Sequence, residues 1–176
     1  MTELLVLCTG NAARSVMAGF MFEQLKLGRA DGEGLHVVTA GTHTIDGQPM
    51  GMRTRNALLG IPELADVDFR QHRSRQVYDH DFALAELVVV MEADHVRFVR
   101  RIHPEAAART AMLRPLCRDL AAGPEPLADR VRSLALADVV LDDAEDVTDP
   151  AGRDADVYAA CVAELWDLCQ TLITLL

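Results

Sequence analysis

The sequence predicts an α/β fold built around a central parallel sheet. Three observations carry that expectation. Short apolar runs at Leu4–Leu7, Leu35–Thr39 and Leu87–Met91 have the continuous hydrophobicity of strands covered on both faces. Segments of helical spacing separate them, the alternation that brings parallel strands into one sheet. A long amphipathic stretch then closes the chain.

Leu4–Leu7 ends abruptly in Cys8-Thr9-Gly10-Asn11, as a buried strand running into a loop does. From Ser15 the spacing turns helical, with Met17, Phe20, Met21 and Leu25 on one stripe closed by Gly28. Leu35–Thr39 is the second strand, and Ala40-Gly41-Thr42 reads as the turn after it. Arg53 to Leu59 is a short helix stopped by Gly60. Leu87–Met91, with three consecutive valines, is the strongest strand signal. Ala93 to Arg101 is helical, Pro104 punctuates the next loop, and Thr110–Leu113 supplies a candidate fourth strand. Tyr158, Cys161, Val162, Leu165, Leu168, Cys169 and Leu172 recur at helical spacing and predict a terminal helix with one buried face.

The 176 residues fit a single domain over 1–176. The one compositional break, an excursion around 123–146, opens with Gly-Pro-Glu-Pro, carries a short helical pattern at Leu127–Leu136 and ends in Asp142-Asp143-Ala144-Glu145-Asp146. Half the residues are hydrophobic, enough to bury a core, and no apolar run approaches the ~18–20 residues of a membrane span. Met1-Thr2-Glu3 lacks the basic start of a secretory signal, so a cytoplasmic protein is expected. The net charge of −10 disfavours nucleic acid and anionic membrane as partners. Lys26 is the only lysine among 17 basic residues, so an anion site here is built from guanidinium and backbone N–H groups. Cys8, Cys117, Cys161 and Cys169 show no metal-ligand spacing, and neither a metal nor a disulfide framework is expected. Cys161 and Cys169 lie roughly 12 Å apart along one helix, too far to pair with each other, and read as core residues.

Cys8 and Arg14 are the chemical signal. A buried strand delivers Cys8 to the loop Thr9-Gly10-Asn11-Ala12-Ala13, which returns through Arg14-Ser15 into a helix. Gly10 and Asn11 tolerate left-handed backbone angles, so the loop can turn successive N–H groups inward as an anion nest, with the helix N-terminus behind it. A thiol held there is favoured as thiolate and nucleophile. Arg14 adds a planar fork suited to two phosphoryl oxygens. The Gly-Lys-Ser/Thr end of a nucleotide-binding P-loop is missing. Taken alone, a Cys-x5-Arg spacing also fits a buried structural cysteine with an arginine nearby.

Leu4-Leu5-Val6-Leu7-Cys8-Thr9-Gly10-Asn11-Ala12-Ala13-Arg14-Ser15 resembles the N-terminus of the low-molecular-weight protein tyrosine phosphatases. The similarity continues through Thr39-Ala40-Gly41-Thr42, His72-Arg73-Ser74-Arg75-Gln76, Val90-Met91-Glu92-Ala93-Asp94-His95 and Asp149-Pro150. The resemblance implies a four-stranded parallel sheet flanked by helices and hydrolysis of phosphomonoesters through a cysteinyl-phosphate. It makes Cys8 the nucleophile and Arg14 the phosphate ligand, within the cradle from Thr9 to Ser15. Ser15 would bond the sulfur, Asn11 would brace the loop with Thr39 and His72, and Asp149 would be the general acid and then base. His95 reads as a landmark of the fold. The implied partner is a phosphorylated protein or small phosphomonoester, with no cofactor; nothing bears on oligomeric state.

The residues add partial support for Asp149. Pro150 restricts its backbone, and six carboxylates fall from Asp138 to Asp149 with no basic residue among them. Crowded like charges favour a carboxyl group that keeps its proton. Three departures from the family pattern stand out. Ala13 replaces a second loop cysteine, Val16 replaces a proline, and the aromatic residues common beside the acid and after the second strand are absent from Asp149-Pro150-Ala151-Gly152 and His43-Thr44-Ile45-Asp46. Two other functions share the loop: arsenate reduction coupled to a low-molecular-weight thiol, and a catalytically silent phosphate-binding module. The thioredoxin-linked form of arsenate reduction needs further cysteines, and residues 70–100 contain none.

Overall fold

Four parallel strands, β1 (Thr2–Cys8), β2 (Leu35–Gly41), β3 (Leu87–Val90) and β4 (Thr110–Met112), form one sheet in the order β2-β1-β3-β4. This is the sheet the sequence predicts, seen in a computed structural model that describes residues 2–30 and 32–176. Around it lie α1 (Arg14–Lys26), α2 (Met52–Leu58), α3 (Asp79–Leu84), α4 (Ala93–Ile102), α5 (Leu113–Asp119), α6 (Leu127–Ser133) and α7 (Ala155–Leu175).

β1 is central and its run Leu4–Leu7 is wholly buried, which is why it lacks the polar alternation of a one-sided strand. The pleat sends alternate residues to opposite layers. Leu4, Val6, Leu87, Val89 and Ala111 pack with Met17, Met21 and Phe22 of α1, Leu116 of α5 and Leu165, Cys169 and Leu172 of α7. Leu5, Leu7, Val88, Val90 and Met112 pack on the other side with Phe82 of α3 and Val96 and Val99 of α4. The register sets Val6 beside Thr39 and Val89, and Cys8 beside Gly41.

Several elements differ from expectation for identifiable reasons. β2 runs on through Ala40-Gly41, expected as a turn, because Gly41 bonds on both sides: its N–H reaches the Arg75 carbonyl and its carbonyl accepts from Val77, each at 2.9 Å. A Cβ at Gly41 would stand 2.6 Å from the Thr9 carbonyl, so the approach requires glycine. In α1, Val16, Ala18 and Phe22 are buried as well as Met17 and Met21, while Phe20 is only partly covered and meets Phe69 edge to face at 4.9 Å. A single stripe understates a helix sandwiched between the sheet and α7. The sequence reading has no counterpart for α3 or α5. α5 contains Pro115 at its third position, where the missing N–H breaks no helical bond. α6 stops at Ser133 rather than Leu136, with Ala135 in the left-handed region at φ 49°. Within 123–146, Leu127, Val131 and Leu136 join the core under α5 and α7.

Candidate active site

The chain leaves β1 through α1 toward β2, then crosses back to β3 on the other side of β1. The carboxyl ends of β1 and β3 therefore flank a topological switch point, where α/β sheets open a crevice. Cys8 ends β1 there, and Glu92 lies just past β3.

The loop after Cys8 owes its shape to where its carbonyls go. Cys8 O accepts from the Thr42 N–H and Thr9 O from the His43 N–H, both at 2.9 Å. Gly10 O accepts from the Thr44 hydroxyl at 2.7 Å, Asn11 O from His72 Nε2 at 3.0 Å and Ala12 O from the Thr54 hydroxyl at 2.9 Å. Ala13 O takes the first helical bond of α1, from Met17 at 2.8 Å. Six consecutive carbonyls are thus drawn outward. In a planar trans peptide the next residue's N–H points the opposite way, so the N–H groups of Thr9 to Arg14 face inward as an anion nest.

Asn11 makes that turn, with φ 46°, and its side chain is fully buried. Its Nδ2 donates to Ser15 Oγ and Thr39 Oγ1, and its Oδ1 accepts from the Arg75 N–H, each at 3.1 Å. Thr39 and His72 are therefore both brought onto Asn11, by side chain and backbone respectively. The His72 bond to a carbonyl puts its proton on Nε2, and burial lowers its pKa, leaving it neutral. Cys8 Sγ lies 3.0 Å from Ser15 Oγ. Because that hydroxyl already accepts from Asn11, its hydrogen is free for the sulfur.

Arg14 is 1% exposed, so its charge needs partners in place. Nη1 donates to Glu92 Oε1 at 2.5 Å and to the Val147 carbonyl at 3.0 Å, and Nη2 lies 3.1 Å from Asp149 Oδ2. The other Asp149 oxygen accepts from the Ala151 N–H at 3.1 Å. The segment carrying Asp149 is held to the end of β3, with the Val147 N–H on the Met91 carbonyl at 2.8 Å. Cys8, Arg14, Ser15 and Asp149 thus share one crevice, with the Asp149 side chain 43% exposed at its mouth.

The acidic run does not crowd Asp149 as expected. Asp143 pairs with Arg97 and Glu145 with Arg118, at 2.8 and 2.6 Å. Asp146 accepts from the Ala93 N–H at 2.7 Å, and Asp142 caps its own turn at the Ala144 N–H. Asp143, Glu145 and Asp146 fasten the segment to α4 and α5, and Asp142 stiffens it from within.

Sequence reasoning passed over Glu92, Thr44 and Thr54 as supports, and assigned His95 to the fold alone. An acidic residue directly after an all-buried strand, at the sheet's carboxyl end, was the available signal for Glu92. The two threonines carried none, since their partners are loop carbonyls distant in sequence. His95 accepts from the Glu92 N–H at Nδ1, 3.2 Å, so Nε2 carries the proton and donates to Thr9 Oγ1 at 3.0 Å. Burial, reinforced by the Arg14 charge, pushes its pKa down to about 4. The other thiols sit in apolar surroundings: burial raises Cys117 to about 11, Cys161 to about 12 and Cys169 well above its usual range. The residues flanking Asp149 in the chain, Thr148 and Pro150-Ala151-Gly152, are not aromatic, and Tyr78 donates its hydroxyl to Asp46 at 3.1 Å on the loop after β2. Among the described residues no cluster of three His, Cys, Asp or Glu side chains is placed to hold a metal ion, and no helix is long and apolar enough to cross a membrane.

The sequence profile of the family described as low molecular weight phosphotyrosine protein phosphatase matches residues 3–124. Low molecular weight protein-tyrosine phosphatase A of Mycobacterium bovis is 36% identical over 108 residues, 61% of this chain, and the Mycobacterium tuberculosis protein of the same name matches equally. The chain spans 62% of the length of these curated relatives. The low molecular weight protein tyrosine phosphatase of T. tengcongensis superposes over the full length of both chains, with TM-score 0.74 and 25% identity. The YwlE arginine phosphatase of Geobacillus stearothermophilus, also 25% identical, gives TM-score 0.72 over 98% of this chain and 90% of its own. The profile stops short of Asp149, which lies 3.1 Å from Arg14.

Proposed function

Because the chain belongs to the low molecular weight phosphotyrosine protein phosphatase family, we propose that it hydrolyses phosphomonoesters, those of protein phosphotyrosine above all, through a cysteinyl-phosphate on Cys8. The observation that carries this reading is the ring of outward-tied carbonyls, which leaves a cradle of N–H groups above a thiol. Phosphoryl oxygens lie against the N–H groups of Thr9 to Arg14 and the Arg14 guanidinium, which gather the charge of the transition state. Cys8 Sγ attacks phosphorus in line, the P–O bond to the leaving group breaks, and Asp149 gives that oxygen its proton. In the second step Asp149 takes a proton from water, the oxygen attacks phosphorus and the P–S bond breaks. The Ser15 hydroxyl donates to the departing thiolate.

Glu92 and the Val147 carbonyl hold one arm of Arg14, and the other arm lies on Asp149. A phosphoryl dianion competes with Asp149 for that second arm, so binding frees the carboxyl group to face the leaving oxygen. Arsenate reduction and a silent binding module gain no comparable support: the named relatives are phosphatases, and Asp149, the proposed acid, lies against Arg14.

The test is p-nitrophenyl phosphate hydrolysis by the wild type, Cys8→Ser and Asp149→Asn. Cys8→Ser is expected to be inactive and Asp149→Asn slowed roughly 10²–10⁴-fold. Full turnover by Cys8→Ser would overturn the covalent route. With no aromatic residue flanking Asp149 in the chain, phosphoarginine is the second substrate to assay, the class named for the Geobacillus neighbour.

A further inference from the structure

Two exposed arginines stand beside the cradle, in a chain whose net charge is −10. On one side Thr54, whose hydroxyl holds the Ala12 carbonyl, fixes the start of α2 against the phosphate loop and places its neighbour Arg53 at the rim. On the other side Arg153 follows Asp149 by four residues. Its N–H bonds the Pro150 carbonyl at 2.9 Å, a tight turn that keeps the Cα atoms of Asp149 and Arg153 within about 11 Å. Arg53 Nη1 donates to the Arg153 carbonyl at 2.8 Å, so the two sides meet.

Both side chains are exposed, and among the described residues neither has a carboxylate within 4.0 Å, although Asp154 and Asp156 follow Arg153 in the chain. Asp149 lies on Arg14 at 3.1 Å, which leaves Asp154 and Asp156 as the acids next to Arg153 in the chain. Asp68 pairs with Arg70 at 2.9 Å, and Asp46 accepts from the Gln76 N–H and the Tyr78 hydroxyl. Segment 42–76, on the Arg53 side, holds five arginines against four carboxylates. Two solvated guanidiniums beside a cradle that already takes one anion present a second, weaker anion site a residue or two away.

We propose that Arg53 and Arg153 form a subsite that reads acidic side chains flanking the phosphorylated residue of a peptide substrate. This rests on the reading of the Cys8 loop as a phosphomonoester site and adds what lies beside the phosphate. Exposed pairs of this kind are weak and salt-sensitive, so the subsite selects among substrates rather than anchoring them.

The experiment compares phosphotyrosyl peptides that differ only in flanking Glu, Gln or Lys, with p-nitrophenyl phosphate as the flank-free reference. At low salt the wild type is expected to favour Glu over Gln flanks about fivefold in kcat/KM, and the preference shrinks as salt is added. The Arg153 side chain makes no hydrogen bond among the described residues, and Arg153→Gln lowers the Glu/Gln ratio. Arg53→Gln with Arg153→Gln brings it to about one, and Arg153→Glu turns the preference toward Lys flanks. Equal wild-type rates for Glu and Gln peptides, or a ratio unmoved by the variants, would overturn the subsite. So would an equal loss on p-nitrophenyl phosphate, which marks a general defect. Binding of the same peptides to Cys8→Ser, read calorimetrically, separates the two readings. No turnover by the wild type together with Glu-selective binding refutes the hydrolase and keeps the subsite.

Discussion

Acidification should destabilise the fold through His95 in particular. The residue is 2% exposed, takes the Glu92 N–H at Nδ1 and gives its own proton to Thr9. Burial, reinforced by the neighbouring Arg14 charge, lowers its pKa from 6.5 to about 4, and a second proton would also break the Glu92 bond. The unfolded chain therefore binds more protons than the folded one between those values, and stability falls as pH falls through that window. From about pH 7.5 to about pH 4.5 the loss from this one group is about 2.5 kcal/mol. Urea unfolding of the wild type and His95→Gln across that range isolates it. Gln retains a donor for Thr9 but does not titrate, so the wild type's advantage at pH 7.5 should shrink by about 2.5 kcal/mol at the acid end. His72, shifted in the same direction, and Asp81, whose lowered pKa costs stability only at more acid pH, contribute to both proteins and cancel. A difference constant with pH would refute the account of His95 as a buried neutral donor.

Three further outcomes follow from the brace and the thiol. Asn11→Gly keeps the left-handed turn and deletes three buried hydrogen bonds. It should cost about 3 kcal/mol in urea unfolding and lower kcat/KM for p-nitrophenyl phosphate more than tenfold; unchanged stability and rate would refute the bracing role. Gly19→Ala sets a Cβ 2.4 Å from Thr39 Cγ2, so it should displace Thr39 from Asn11 and cost about 1–2 kcal/mol by thermal unfolding. Adding Thr39→Ser removes that methyl and keeps the hydroxyl, so the double variant should recover, with up to about 1 kcal/mol of helix propensity in hand. No recovery would place the damage elsewhere. Prolonged peroxide should inactivate Cys8 beyond rescue by dithiothreitol, since Ala13 offers no thiol and Cys117 and Cys161 are held protonated up to about 11 and 12. Full recovery through a Cys8–Cys161 disulfide, identified by mass spectrometry, would show otherwise.

The sheet was legible in the sequence because Leu4–Leu7 and Leu87–Val90 are buried on both faces, and an unbroken apolar run that short fits little besides a doubly covered strand. Cys8, Arg14 and Ser15 were legible because one strand, one loop and one helix place them locally. What escaped depends on pairing across the chain. Gly41 reads as a turn until Arg75 and Val77 arrive to extend its strand. Thr44 and Thr54 are ordinary threonines whose importance comes from the carbonyls they meet. The acidic run misled for the same reason: its charges look unopposed along the sequence, whereas Arg97 and Arg118 come from helices folded against it.

The anion nest has no local existence. Its carbonyls are drawn outward by Thr42, His43 and Thr44 after β2, by Thr54 in α2 and by His72 in the loop beyond, while Asn11 is anchored to Thr39 and Arg75. A peptide of the first strand, loop and helix contains every ligating group and none of these ties. On the proposed function, affinity for phosphate is a property of the assembled tertiary structure, which would make inorganic phosphate a folding ligand. It should raise the melting temperature in proportion to the logarithm of its concentration above the dissociation constant, and so serve as a thermometer of how completely the molecule has folded.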